Sequence, residues 1–207
     1  MPSVNVLRWI DGRGWIVLAG GADEDIRAQA INRSSADGGI AVIALDGSGD
    51  QMSDDVSALG APSSYAVDVF TEDDAALERK LAEAGVIIVS SAASAEEVRS
   101  TLYGAAISGM QQAYANGAVI LLEGASASAF GSWLPTNAAG LEWVEGALIL
   151  IGMQNAAARA RAIFDAHPMA VAIGIEAGSA LALGPDGQIE PWGERQVTIA
   201  LGSAYKT

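Results

Sequence analysis

The 207-residue chain has no cysteine, is 51% hydrophobic but only 6% aromatic, and carries a formal net charge of −14 at pH 7. That length suits one domain, residues 1–207, whose core is built from aliphatic and alanine contacts. The missing cysteines exclude disulfides and thiolate metal sites and suit a cytoplasmic setting, while the acidic balance excludes attraction to nucleic acid or anionic membranes.

The first nine residues lack the basic start and long apolar region of a signal peptide, and no apolar stretch is long enough to span a bilayer. Residues 14–19 read as the first strand, and Gly20-Gly21-Ala22-Asp23 turns it into a helix reaching about residue 32. A strand, a glycine turn and a helix can cradle an anion or nucleotide, but neither the dinucleotide fingerprint nor a lysine-bearing phosphate loop is present. Strand 40–45, a helix ending near residue 60 and strand 65–69 follow. Acidic residues at Thr71-Glu72-Asp73-Asp74 then open a helix over 75–84, where negative charge complements the helix dipole.

Strand 86–89 leads through Ser90-Ser91-Ala92-Ala93 into one long helix, 95–116, and then into the stretch that organises the chain. There an apolar run over 118–122 has the length of a strand buried on both faces, and Gly124, Ala125, Ala127 and Ala129 leave little bulk around Ser126. Small neighbours are what a sharp strand-to-helix turn requires, and such a turn holds a serine hydroxyl at the mouth of the sheet. The plainer reading of the same residues is a loop with two helix-capping serines. Strand 146–151, helix 154–166 and strand 169–175 continue the alternation. Strands 180–183 and 188–191 flank a Gly184-Pro185-Asp186-Gly187 hairpin turn, and strand 196–201 ends the sheet. The pattern predicts an α/β three-layer sandwich with a mostly parallel sheet.

The run from Gly85 through Ser126, together with Gly174-Ile-Glu-Ala-Gly-Ser-Ala-Leu183, resembles the cyanophycinase and peptidase E family of serine peptidases. The resemblance extends from the Gly20-Gly21 turn to about Gly193. It implies a flavodoxin-like, class I glutamine amidotransferase-like fold with Ser126 as the nucleophile, and a homodimer. The family's Gly-Thr-Ser-Ala-Gly-Ala then corresponds to Gly124-Ala-Ser-Ala-Ser-Ala129. Its Gly-Gly-Asp-Gln turn, which binds substrate, falls on Ser90-Ser91-Ala92-Ala93, and an Asp-Glu pair falls on Glu176-Ala177.

The departure that matters most comes after the next strand. The family's Asp-x-His-Phe falls on Leu150, Ile151, Gly152 and Met153, with Arg161 matching a later arginine, so Gly152 stands where the resemblance places the general-base histidine. A serine is a poor nucleophile until a positioned base takes its proton. The single histidine, His167, lies in a helix-to-strand connection. Such connections open at the opposite edge of a parallel sheet from Ser126, about 17–20 Å away along a strand. Glu176, Lys80 and Lys206 are weak substitutes as bases, and Glu142 and Glu145 have no imidazole to orient. Trp133 and Trp143 read as aromatic cover over the core rather than a pocket wall. A metal site is not expected from one histidine and no cysteine, and no cofactor motif is present. The sequence thus predicts a family member that has lost peptidase activity and acts through a peptide or small-molecule ligand or through self-association. The alternative is an active serine hydrolase cleaving small aspartyl or β-aspartyl peptides through Ser126 with another base.

Overall fold

Residues 6–60, 63–152 and 155–205 are described by the structure, a computed structural model. Met153, Gln154 and Lys206, to which the sequence assigns places, lie outside the described residues. Short β1 (Arg8–Trp9) precedes β2 (Trp15–Ala19), and Asp23 caps α1 (Glu24–Arg33) by accepting from the amide of Ile26. β3 (Ile40–Ala44), α2 (Gly49–Ala58), β4 (Ser64–Ala66) and α3 (Asp74–Ala82) follow, and Asp73 caps α3. β5 (Val86–Ser91) leads to α4 (Ala95–Leu102), which opens with a reciprocal capping box between Ser94 and Glu97.

The expected single helix over 95–116 is two helices. Gly104, at φ 114° and ψ −128°, takes a conformation that only glycine adopts readily, and α5 (Ala105–Ala115) starts afresh beyond it. Then come β6 (Val119–Gly124), the five-residue α6 (Ala125–Ala129), β7 (Gly131–Trp133) and β8 (Val144–Ile151). In place of one helix over 154–166 there are α7 (Ala156–Arg159) and α8 (Arg161–Ala166), separated by Ala160. β9 (Val171–Ile175), β10 (Ser179–Leu183), β11 (Ile189–Gly193) and β12 (Val197–Leu201) complete the chain.

The strands form two sheets. The larger has the order β11-β10-β2-β6-β5-β3-β4, parallel from β2 to β4 and antiparallel at the β10 and β11 edge. β8 and β9, which look in sequence like further strands of that sheet, instead pair in parallel with each other in a second sheet, flanked by β1, β7 and β12. Alternation along each strand explains the layering. Val17, Val119 and Leu121 face α1 and α2, packing with Ile26, Ala30, Met52 and Val56. Their neighbours Ile16, Leu18, Ile120 and Leu122 turn the other way, into a core shared with Ala147, Ile149 and Ile173 of the second sheet. The far face of the second sheet, Leu148, Leu150 and Ala172, is covered by Ala156 of α7, Ile163 of α8 and Ala160 between them. Among the described residues no helix is long and apolar enough to cross a membrane.

Candidate active site

In a parallel α/β sheet, ligand sites form outside the carboxyl ends of the strands. At this edge β6 breaks into α6 at Gly124, which has φ 61° and ψ −127°. This is the strained strand-to-helix turn that the small residues of the stretch foretell, but its apex is Gly124 rather than Ser126. An added Cβ at Gly124 would meet no atom within 4 Å, so the apex faces open space. Ser126 is the second residue of α6, fully buried, and its Oγ has no hydrogen-bond partner among the described residues. The expected hydroxyl at the sheet mouth is therefore corrected. A helix advances about 1.5 Å and 100° per residue, so two positions beyond the apex the side chain points back into the protein. Ser128 is also buried, which leaves neither serine as a helix cap.

Register places the expected neighbours of this turn. Ala19, Glu123 and Ser90 lie abreast on β2, β6 and β5, and Ser91 lies beside Gly124, so the adjacent backbones are about 4.8 Å apart. Ser91 Oγ accepts from the amide of Ala93, which ties the hydroxyl to its own turn. Ser90 is half-buried, and its carbonyl accepts from Leu45. Glu176 joins the same edge through the β2 turn: a Cβ on Gly20 would come within 2.0 Å of the Glu176 carbonyl oxygen. Ser90, Ser91 and Glu176 are thus gathered along the edge that Gly124 occupies, while Ser126 lies beneath it.

A residue pair missed in the sequence lies directly under the turn. Glu123, 2% exposed, receives a bidentate contact from Arg27 of α1, Nε to Oε1 at 2.7 Å and Nη2 to Oε2 at 2.8 Å. Nη2 also lies 3.3 Å from the Met52 sulfur. The hydrogen bond to Glu123 raises the pKa of Arg27 above its ordinary value. A lone carboxylate in the apolar β6 run was the available signal, because a buried charge requires a partner. Since Glu123 is engaged by Arg27, its carboxylate is not free to serve as a base at the turn.

Gly152 follows β8 with φ 65°; its amide donates to the Ile175 carbonyl, and a Cβ there would also meet open space. His167 caps the end of α8 and stacks on Trp133 with ring centroids 4.7 Å apart. It is exposed, and it makes no contact with the Ser126 hydroxyl. Trp143 is core, edge-on to Phe130 at 5.0 Å, and Trp133 is half-buried against the α7 and α8 cluster. Lys80 pairs with Glu72 at 2.8 Å, while Glu142 and Glu145 stand at the loop and start of β8. Among the described residues no three His, Cys, Asp or Glu side chains are gathered as a metal ion would need.

The arrangement is a glycine-apexed turn bordered by serine backbone and one glutamate, and among the described residues no titratable group contacts the Ser126 hydroxyl. No protein-family model and no curated protein matches the chain. Solved structures do. A peptidase from an acI-B1 Actinobacterium superposes with a TM-score of 0.72 at 15% identity, covering 93% of this chain and 96% of its own. A putative peptidase E protein from Listeria monocytogenes EGD-e gives 0.64 at 13% identity, covering 87% and 98%. The fold is therefore of the peptidase E type, a flavodoxin-like, class I glutamine amidotransferase-like α/β architecture.

Proposed function

We propose that this chain is a peptidase E-type scaffold that does not cleave peptides by serine chemistry and acts instead through ligand binding or self-association. The supporting observation is the turn itself: glycine occupies the apex, and the Ser126 hydroxyl is enclosed and has no hydrogen-bond partner among the described residues. A nucleophile has to reach the substrate carbonyl and hand its proton to a base within about 2.6–3.2 Å, and Ser126 meets neither condition. Gly152 offers no proton acceptor at the position where the resemblance expects one, and His167 is occupied with Trp133.

A fluorophosphonate probe tests the reading. No covalent labelling is expected under conditions that fully label an intact serine hydrolase. Labelling abolished by Ser126→Ala, or hydrolysis of an aspartyl or β-aspartyl dipeptide abolished by the same change, would overturn the proposal and establish a serine hydrolase.

A further inference from the structure

The opposite edge of the larger sheet carries a group of charged side chains around a cavity. A cavity of about 750 Å³ opens there, lined by residues 7–13, Ala115, Glu145 and residues 185–187. Each wall belongs to the amino ends of the parallel strands. Residues 10–13 lead into β2, Ala115 ends α5 just before β6, and Glu145 starts β8. The residue 185–187 turn follows β10, whose last residue, Leu183, pairs with Ile16.

The walls are fixed from behind. Tyr114 donates its hydroxyl to the Ile10 carbonyl at 3.2 Å, the Ile10 amide donates to Trp143, and the Gly14 amide donates to Tyr114. The Tyr114 ring fills the space that a Cβ on Gly12 would need. Charges of both signs surround this cavity, and among the described residues only Arg13 spends part of its side chain on the fold. Arg8 and Glu145 lie opposite one another on β1 and β8 without forming an ion pair. Asp11 and Asp186 make no side-chain hydrogen bond or ion pair among the described residues, and Arg13 spends only its Nε, on the Ala115 carbonyl. Trp9 and Pro185 supply apolar surface between these charges.

We infer that this amino-edge cavity binds a short peptide with free termini. Its carboxylate is held by the guanidinium groups of Arg8 and Arg13, and its ammonium faces Glu145 and Asp186. A guanidinium matches a carboxylate in paired geometry, and a volume of this order suits a small ligand better than a protein surface. The opposed signs select a zwitterion over a simple anion, which Asp11, Glu145 and Asp186 would repel. This inference goes beyond the proposed function and does not depend on the reactivity of Ser126.

Titration calorimetry with the tripeptide Gly-Leu-Gly, on the full chain, tests it against the same peptide acetylated and amidated. The free peptide is expected to bind, and the blocked peptide at least tenfold more weakly. The Arg8→Ala/Arg13→Ala and Glu145→Gln/Asp186→Asn double variants should each lose at least tenfold in affinity. The second pair is exposed and touches no internal hydrogen bond, so its folding is secure. Amide NMR shifts on titration should fall on residues 8–13 and 185–187. Absence of binding at millimolar peptide, equal binding of the blocked peptide, full affinity in both variants, or shifts at Gly124 instead would each overturn the assignment.

Discussion

The two edges of the larger sheet differ in how their polar groups are satisfied. Beneath the carboxyl edge, Glu123 is clamped by Arg27, and Ser91 at the edge is bound within its own turn. At the amino edge, the side chains of Arg8, Asp11, Glu145 and Asp186 make no hydrogen bond or ion pair among the described residues, around a cavity braced by Tyr114. Chemistry in this class of fold is expected at the first edge, where Glu123 and Ser91 serve structure and the Ser90 hydroxyl and the Glu176 carboxylate make no side-chain hydrogen bond or ion pair among the described residues. A site is located by side chains left over once the fold has been satisfied, and topology alone does not supply them.

The sharpest way to break this contrast is at the clamp. Arg27→Met leaves Glu123 as an uncompensated charge 2% exposed under the Gly124 turn, and should destabilise the protein by about 3–5 kcal/mol in urea unfolding. The double variant Arg27→Met/Glu123→Leu removes both charges and should recover most of that loss, since desolvating the pair offsets much of its attraction. A small loss in the single variant would mean that Glu123 has another partner and that the carboxyl edge is less settled than its geometry indicates.

A smaller effect separates the amino edge by pH. Burial pushes the Tyr114 phenol up to about 12 from an ordinary value near 10. The folded state therefore holds the proton more tightly than the unfolded chain does. The resulting stability is fully present below pH 10 and is lost as pH rises from about 10 through about 12. Tyr114→Phe should cost about 0.5–1.5 kcal/mol near neutrality through the lost bond to Ile10, and the gap to wild type should narrow in alkaline urea titrations. A gap that stays constant from pH 8 to about pH 12 would show that the phenol is not enclosed behind the cavity wall.

Much of this was legible in the sequence, and the misses have physical causes. Apolar runs and glycine or acidic starts placed most strands and the helix starts after Asp23 and at the 71–74 acidic stretch, because alternation and helix-start signals are local properties. The division into two sheets was not visible, since 144–151 and 171–175 are as apolar as strands of the parallel sheet and nothing in their composition names a partner. Gly104 divides a helix whose apolar spacing runs across it without interruption. At the turn, five small residues follow Gly124, and the pattern suggested strain without saying which residue bears it. Gly124 was the signal: it is the one residue in 124–129 able to take a positive φ without penalty. Glu123 announced the need for a counter-charge, but its partner lies 96 positions away and is set only by how α1 docks on the sheet.

The finest distinction concerns Ser126 itself. A hydroxyl moved from water to an enclosed site without a partner is a liability for the folded state, whereas one held for catalysis is kept by a base or by donors around it. With Oγ fully buried and unpartnered, Ser126→Ala removes an unsatisfied group and leaves a void no larger than one oxygen. Thermal and urea unfolding should therefore be unchanged or raised by up to about 1 kcal/mol, the smallest effect of the three and opposite in sign. A loss above about 2 kcal/mol would reveal an internal hydrogen bond or bound water at that oxygen. It would then fall to the same substitution's effect on fluorophosphonate labelling to say whether that partner activates the hydroxyl or merely fills the space beneath Gly124.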